Sequence, residues 1–195
     1  MEPTLTVDPA AEVAGETRPA LPRGATLDRY VVLKPLGTGG MGVVYSAFDP
    51  ELDRRVALKV VHPQRMAARS GRRTQRRLAR EAQALAQLNH PNVLAVHDVG
   101  MVGGQLYVAT ELVDGCDLST WLSRANRRRS EILDVFLQAG AGLAAAHAAG
   151  LVHRDFKLSN VMVGRDGRVR VVDFGLASRD PALDGAEVLA SPVDP

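Results

Sequence analysis

From Tyr30 onward the chain alternates short apolar runs, rich in β-branched and aromatic residues, with clusters of turn formers: RYVVLKPLG, then GVVYSAFDP, then RRVALKVV after the DPELD turn. Runs of this length bounded by Gly, Pro and Asp predict three antiparallel strands. The period then changes. Leu78, Ala82, Leu85 and Leu88 recur at helical spacing, predicting a helix from about Gly71 to Leu88 that stops at His90-Pro91-Asn92. VLAVHDVG and QLYVATELV, joined by MVGG, read as two further strands.

Beyond Gly115 the pattern is helical, with a short helix around Leu118 to Ser123 and a longer one from about Ser130 to Ala149, for which Gly150 is a plausible C-cap. LVHRDFKLSN follows as a loop, and VMVG and RVRVVD pair around Arg165-Asp166-Gly167 as a hairpin. A strand-rich first half meeting a helix-rich second half is an α+β pattern. Residues 1–26 mix Pro, Ala, Thr and Glu without periodicity and are expected to be a disordered leader. Residues 27–195 are read as one domain, dividing at about 114/115.

A chain of 195 residues with 46% hydrophobic content can bury a substantial core. Arginine supplies nearly all of its positive charge, because lysine stands only at Lys34, Lys59 and Lys157. The arginines bunch between Arg65 and Arg80 and again from Arg127 to Arg129, which raises nucleic acid or a membrane surface as partners. The first cluster shares its span with helically spaced Leu and Ala. A solvated outer helix face explains it more simply, and no nucleic-acid partner is expected. One cysteine, Cys116, forms no internal disulfide and has no companions at zinc spacing. No run approaches the roughly 20 apolar residues of a membrane span, and the acidic start is unlike a signal peptide, so a cytoplasmic location is expected.

The candidate chemistry lies at the ends and turns of these elements. Leu36-Gly37-Thr38-Gly39-Gly40-Met41-Gly42-Val43-Val44 joins two predicted strands, where glycines allow positive φ and close approach of backbone to phosphate. A strand follows it, whereas a dinucleotide fingerprint needs a helix. Val56-Ala57-Leu58-Lys59 puts a compact ammonium on the third strand, suited to phosphate oxygens, with a snorkelling edge lysine as the plainer alternative. Glu81 lies on the inward face of the predicted helix and needs a cationic partner. Lys59 is the leading candidate, and Arg77 and Arg80 are local ones. Asp155, Lys157 and Asn160 cluster in a loop, and Asp173-Phe174-Gly175 ends the hairpin, so that Asn160 and Asp173 could share a hard, oxygen-liking cation. Taken singly, each is equally at home as a cap or a turn residue.

Together, in this order and setting, these motifs resemble the signature set of protein kinases, and the chain from about Leu27 to Ala177 resembles a bacterial eukaryotic-like Ser/Thr protein kinase. The resemblance implies a protein-kinase-like fold: a five-stranded antiparallel N-lobe with one helix over 27–114, and the first part of a mainly helical C-lobe over 115–195. It implies ATP and Mg2+ as cofactors. Gly37, Gly39 and Gly42, with Leu36, Thr38, Gly40, Met41 and Val43 beside them, would cover the phosphates. Lys59 would contact those phosphates and pair with Glu81. Val44, Ala57 and Met162 would sandwich adenine, Glu111 and Val113 would supply backbone contacts, Asp117 would meet the ribose, and Thr110 would be the gatekeeper. Asn160 and Asp173 would hold magnesium. Asp155 would orient and deprotonate the hydroxyl of a protein substrate, and Lys157 would steady the transferring phosphate. Leu85, Val96, His153 and Phe174 match a stacked internal spine, or are ordinary core.

Two departures, Leu158 where the family usually has proline and Phe156 where leucine is commonest, leave the reactive groups in place. Only 22 residues follow Asp173 and none reads Ala-Pro-Glu, so the expectation is a truncated kinase domain, with Ser178 and Ser191 the remaining hydroxyls there. The function expected is ATP-dependent phosphorylation of Ser or Thr on proteins. The alternatives are a non-catalytic ATP-binding or regulatory fragment acting through partners, and a small-molecule kinase of similar fold.

Overall fold

In the computed structural model the described residues are 21–39, 42–61, 83 and 85–174. Six strands form one antiparallel sheet: β1 (Thr26–Leu27), β2 (Tyr30–Gly39), β3 (Gly42–Asp49), β4 (Arg54–Val61), β5 (Val96–Val102) and β6 (Gln105–Glu111), in the order β1-β2-β3-β4-β6-β5. Five of them coincide with the predicted runs. The sixth, β1, pairs through Thr26–Val31 and Leu27–Tyr30, and two residues are too few to carry a period.

Strand alternation sorts this sheet into two functions. Tyr45 and Ala47 on β3, Val56, Leu58 and Val60 on β4, and Tyr107 and Ala109 on β6 fall on one face and pack with Tyr30 and Val32 into a buried core. The residues between them, Val44, Ala57, Lys59, Val108 and Thr110, fall on the other face and line a cleft. Gly42 at the start of β3 has φ 154°, and a Cβ there would run into the carbonyl of Val60. Two tyrosines tie the β1–β2 turn to β5 and β6: Tyr107 donates to Asp28 at 2.5 Å and Tyr30 to Asp98 at 2.9 Å. Burial, then these carboxylates, push both phenols well above their ordinary range.

A smaller sheet, β7 (Gly115–Asp117), β8 (Val161–Gly164) and β9 (Val169–Val171), lies beyond the connecting segment. With it come α1 (Leu118–Ser123), α2 (Arg129–Ala148) and a short 3-10 turn, Leu158–Asn160. Leu118, Val135, Ala139, Ala146, Val161, Val163, Val169 and Val171 form a second core with Leu85, Val93 and Phe174. Leu94 N–H donates to the carbonyl of Val171 at 3.0 Å and Val171 N–H to that of Asn92 at 2.9 Å, stitching the segment before β5 to β9. Gly142 on α2 lets the Asn92 carbonyl approach where a Cβ would collide with it.

The two predicted helices match closely, α2 running from one residue earlier. Its C-cap is Ala149, so Gly150 is the following residue, with φ 75°. Gly150 N–H bonds the carbonyl of His147 at 2.9 Å and Leu151 N–H that of Ala146 at 2.9 Å, a Schellman ending that needs the left-handed residue where glycine stands. Of the helix predicted over 71–88, Gln83 and 85–87 are described and helical, Leu88 is described just past the helix, and the remainder lies outside the described residues. Among the described residues no helix is long and apolar enough to cross a membrane.

Candidate active site

The cleft between the sheets has a volume of about 400 Å3. Leu36 and Gly37 from β2, Val44, Ala57 and the segment Glu111–Val113 line one side; Met162, Val171, Val172 and Phe174 line the other. The walls are apolar, with a few polar groups converging on them: Lys59, Thr110, Asp117, Ser159 and Asp173. That composition suits a flat, largely apolar ring carrying a charged tail.

At the inner end Lys59, 9% exposed, directs Nζ to Asp173 Oδ1 at 2.6 Å. β9 delivers Asp173 to this position, and the aspartate has φ 62°. The chain therefore turns sharply where the carboxylate enters the cleft. Glu81, expected to pair with Lys59, lies outside the described residues, as do Gly40 and Met41.

The loop before β8 gathers the second group. Asp155 Oδ2 accepts from Lys157 Nζ at 2.8 Å and from Asn160 Nδ2 at 3.4 Å. Asn160, 7% exposed, also donates Nδ2 to the Asp155 carbonyl at 2.9 Å. Val172 N–H bonds the Asn160 carbonyl at 2.9 Å, which ties this loop to the residue before Asp173. The Lys157 hydrogen bond, with the Lys157 charge and the Asn160 hydrogen bond, holds the Asp155 carboxyl below the usual aspartate range despite opposing desolvation. It is an anion at neutral pH.

His153 secures the loop from beneath. It is 2% exposed, lies 2.9 Å through Nε2 from the Val172 carbonyl, and packs on Phe174 with ring centroids 4.8 Å apart. Leu85 and Val96 belong to the same apolar cluster, so the four residues matched to a spine share one core. Phe156 stands edge-on to His153 at 5.7 Å.

Asp117 lines the cleft and also caps α1. Its Oδ1 accepts from Thr120 N–H at 2.9 Å and its Oδ2 from Thr120 Oγ1 at 2.8 Å. The Thr120 backbone bond is the main cause of a carboxyl held below its ordinary range. The capping role was readable from Asp117 preceding an apolar helix and is absent from the expectation above. The structure thus brings Leu36, Gly37, Val44, Ala57, Lys59, Thr110, Glu111, Val113, Asp117, Met162 and Asp173 around one cavity. Thr38, Gly39, Gly42 and Val43 continue the β2–β3 strands away from that lining, and Asp155, Lys157 and Asn160 form the adjoining loop cluster. Leu94, Val108, Leu112, Ser159, Val171 and Val172 also line the cleft; Val108 follows from strand alternation on β6, Ser159 stands inside the loop motif, and the others belong to no motif.

For a divalent cation, Asp173 offers a carboxylate. Asn160, whose Nδ2 is engaged by Asp155, offers its side-chain oxygen. Among the described residues no group of three or more His, Cys, Asp or Glu is gathered to hold a metal. A carboxylate and an amide oxygen completed by phosphate oxygens and water is the donor set magnesium prefers.

The protein kinase domain model matches residues 30–184. The chain is 41% identical over 172 residues to the serine/threonine-protein kinase PknA of Mycobacterium tuberculosis, covering 85% of this chain and 38% of PknA. It is 39% identical over 156 residues to PknE of Mycobacterium bovis, another serine/threonine-protein kinase, covering 80% of this chain and 27% of PknE. The chain therefore spans less than half the length of these curated relatives. Among solved structures, a crystal structure of a cysteine-to-alanine mutant of the Mycobacterium tuberculosis PknI kinase domain superposes with a TM-score of 0.72 at 37% identity, covering 83% of this chain and 65% of that one. With the motifs arranged in this α+β architecture, the chain belongs to the protein kinase domain family, among the serine/threonine kinases.

Proposed function

We propose that the cleft binds ATP with magnesium and that the adjoining loop transfers the terminal phosphoryl group to Ser or Thr hydroxyls of proteins. The observation that carries this reading is the convergence on one cleft of the Lys59–Asp173 pair at 2.6 Å and, tied to it through Val172, the Asp155–Lys157–Asn160 cluster.

Val44, Ala57 and Met162 would enclose the adenine, and the backbone of Glu111 and Val113 would meet its polar edge. Lys59 would neutralise phosphate oxygens. Asp173 and Asn160 would hold magnesium, which supplies charge neutralisation on the phosphates when bound. In the transfer the hydroxyl oxygen forms a bond to the terminal phosphorus, the bond from phosphorus to the bridging oxygen breaks, and ADP leaves with that electron pair. The Lys157 and Asn160 bonds to Asp155 both go to Oδ2, so Oδ1 is assigned to orient the hydroxyl and take its proton. A carboxyl held this acidic is a weak base, which suits a step where positioning and electrostatics dominate and the proton moves late. Lys157 then stands beside the transferring group.

A second reading, nucleotide binding without turnover, draws on the exposed apolar side chains Leu133, Phe136 and Leu137 along α2, a surface of the kind partners cover. Incubation with magnesium-ATP and a generic acceptor protein separates the two. The transfer reading expects phosphate on Ser or Thr from the parent chain and none from Asp155→Asn. Equal incorporation by both removes it.

A further inference from the structure

We infer that Arg170 is a positioning residue: it clamps the Glu111–Val113 segment and thereby sets affinity for the base end of the nucleotide, not the phosphate end. The inference rests on the reading of the cleft as an ATP site.

Glu111, Leu112 and Val113 line the 400 Å3 cleft on one side and a second cavity of about 260 Å3 on the other. A segment with open space on both faces is not held in place by close packing. Glu111 keeps its β-register with Val56 on β4, its carbonyl accepts from Thr110 Oγ1 at 3.3 Å, and two further contacts hold the segment from behind. Glu111 N–H bonds the Ala95 carbonyl at 2.9 Å, and the Glu111 carboxylate is gripped by Arg170. Arg170 Nε lies 3.1 Å from Glu111 Oε2 and Nη2 lies 2.8 Å from Oε1, a two-pronged fork. The other edge of the guanidinium takes Asp166 in the same way, Nη1 to Oδ1 at 3.2 Å and Nη2 to Oδ2 at 2.8 Å. Nη1 also donates to the Arg168 carbonyl at 3.4 Å, so the guanidinium makes four hydrogen bonds besides the Nη2 ion pair to Glu111 Oε1.

The surroundings are built around this arrangement. The Arg170 side chain is 4% exposed, and Arg168 Nε adds 2.8 Å to Asp166, giving alternating charges from the segment to the β8–β9 turn. Gly164 lies beneath it, and a Cβ there would collide with Asp166 Oδ1 and press on Arg170 Nη1. Desolvating a guanidinium cancels much of its ion-pair energy, so such a cluster contributes geometry more than stability. Arg170 belongs to β9, three residues before Asp173, so the clamp joins the wall that would face the base to the strand that presents the metal-binding carboxylate.

The test compares the parent chain with Arg170→Met in three measurements: titration with magnesium-ATP, titration with magnesium-tripolyphosphate, and hydrogen exchange of the amides of residues 111–115 in the free chain. The inference expects about tenfold weaker ATP binding, tripolyphosphate binding unchanged within about twofold, and faster exchange. Arg170→Lys should recover only part of the ATP affinity, since an ammonium cannot fork two carboxylates. Asp166→Asn, at an exposed turn, should move all readings in the same direction by less, and serves if Arg170→Met does not fold. Unchanged exchange, or ATP and tripolyphosphate weakening together, overturns the inference. If the parent chain binds no ATP, the nucleotide reading fails and the inference with it. Faster exchange in Arg170→Met would then place the fault in that reading and not in the clamp.

Discussion

At the residue scale, the charged groups divide into those that hold structure and those that line the cleft, and Asp117 belongs to both. Its carboxylate caps α1 through Thr120, so Asp117→Ala should cost about 1 kcal/mol in chemical denaturation, whereas Asp117→Asn, an equally good cap, should stay within about 0.5 kcal/mol of the parent. Because the folded carboxyl titrates below the ordinary value of 3.8, its extra stabilisation is fully present above that value and is lost as pH falls through the lower folded one. The parent's advantage over Asp117→Asn should therefore shrink only below about pH 4. Asp155 follows the same direction, its acidity set first by Lys157. Any transfer activity should have its acid limb below the usual carboxylate range, and Lys157→Met should shift that limb upward. A profile identical in both proteins would separate Lys157 from Asp155.

At the element scale, the turns and helix ends make the sharpest predictions. Gly150 has φ 75° and no atom within 4 Å of where its Cβ would sit, so Gly150→Ala should cost about 1 kcal/mol from backbone strain alone, and Gly150→Asn less. Gly142→Ala should cost more, because the obstacle is the Asn92 backbone carbonyl rather than a movable side chain. Thermal melts of the three variants give the ranking. The elements themselves were legible to the extent that their patterns were long: β3 and β4 lie where the alternation puts them, and α1 spans the helical run predicted for it. β1 was not, since two residues have no periodicity. Gly150 was placed one position too early because a C-cap and the residue after it leave the same mark in sequence. The motifs singled out Lys59, Asp155, Asn160 and Asp173, and the structure places Lys59 against Asp173 and Asp155 beside Asn160. Arg170 gave no such signal. Its partners stand 59 residues before and 4 residues before it, and only the fold shows that one guanidinium serves both.

At the scale of the whole molecule, the cleft is a by-product of sheet alternation: one face of the larger sheet builds a core, and the opposite face supplies one wall of the cleft. The second sheet closes the cleft from the other side; Val171 bonds the segment before β5 through Asn92 and Leu94, and Val172 N–H bonds the Asn160 carbonyl in the Asp155 loop. Leu133, Phe136 and Leu137 form an apolar stripe on the outer side of α2 at the spacing of one helix face. Leu133→Glu with Leu137→Lys should lower binding of a hydrophobic dye and leave nucleotide affinity unchanged, since neither side chain lines the cleft. The central claim is that Lys59 and Asp173 make this cleft a magnesium-nucleotide site. Calorimetric titration with ATP, with and without magnesium, tests it most directly on the parent chain and Asp173→Asn. The account predicts saturable binding to the parent that strengthens with magnesium, and loss of the magnesium effect in Asp173→Asn. Binding that ignores both magnesium and the substitution would contradict it.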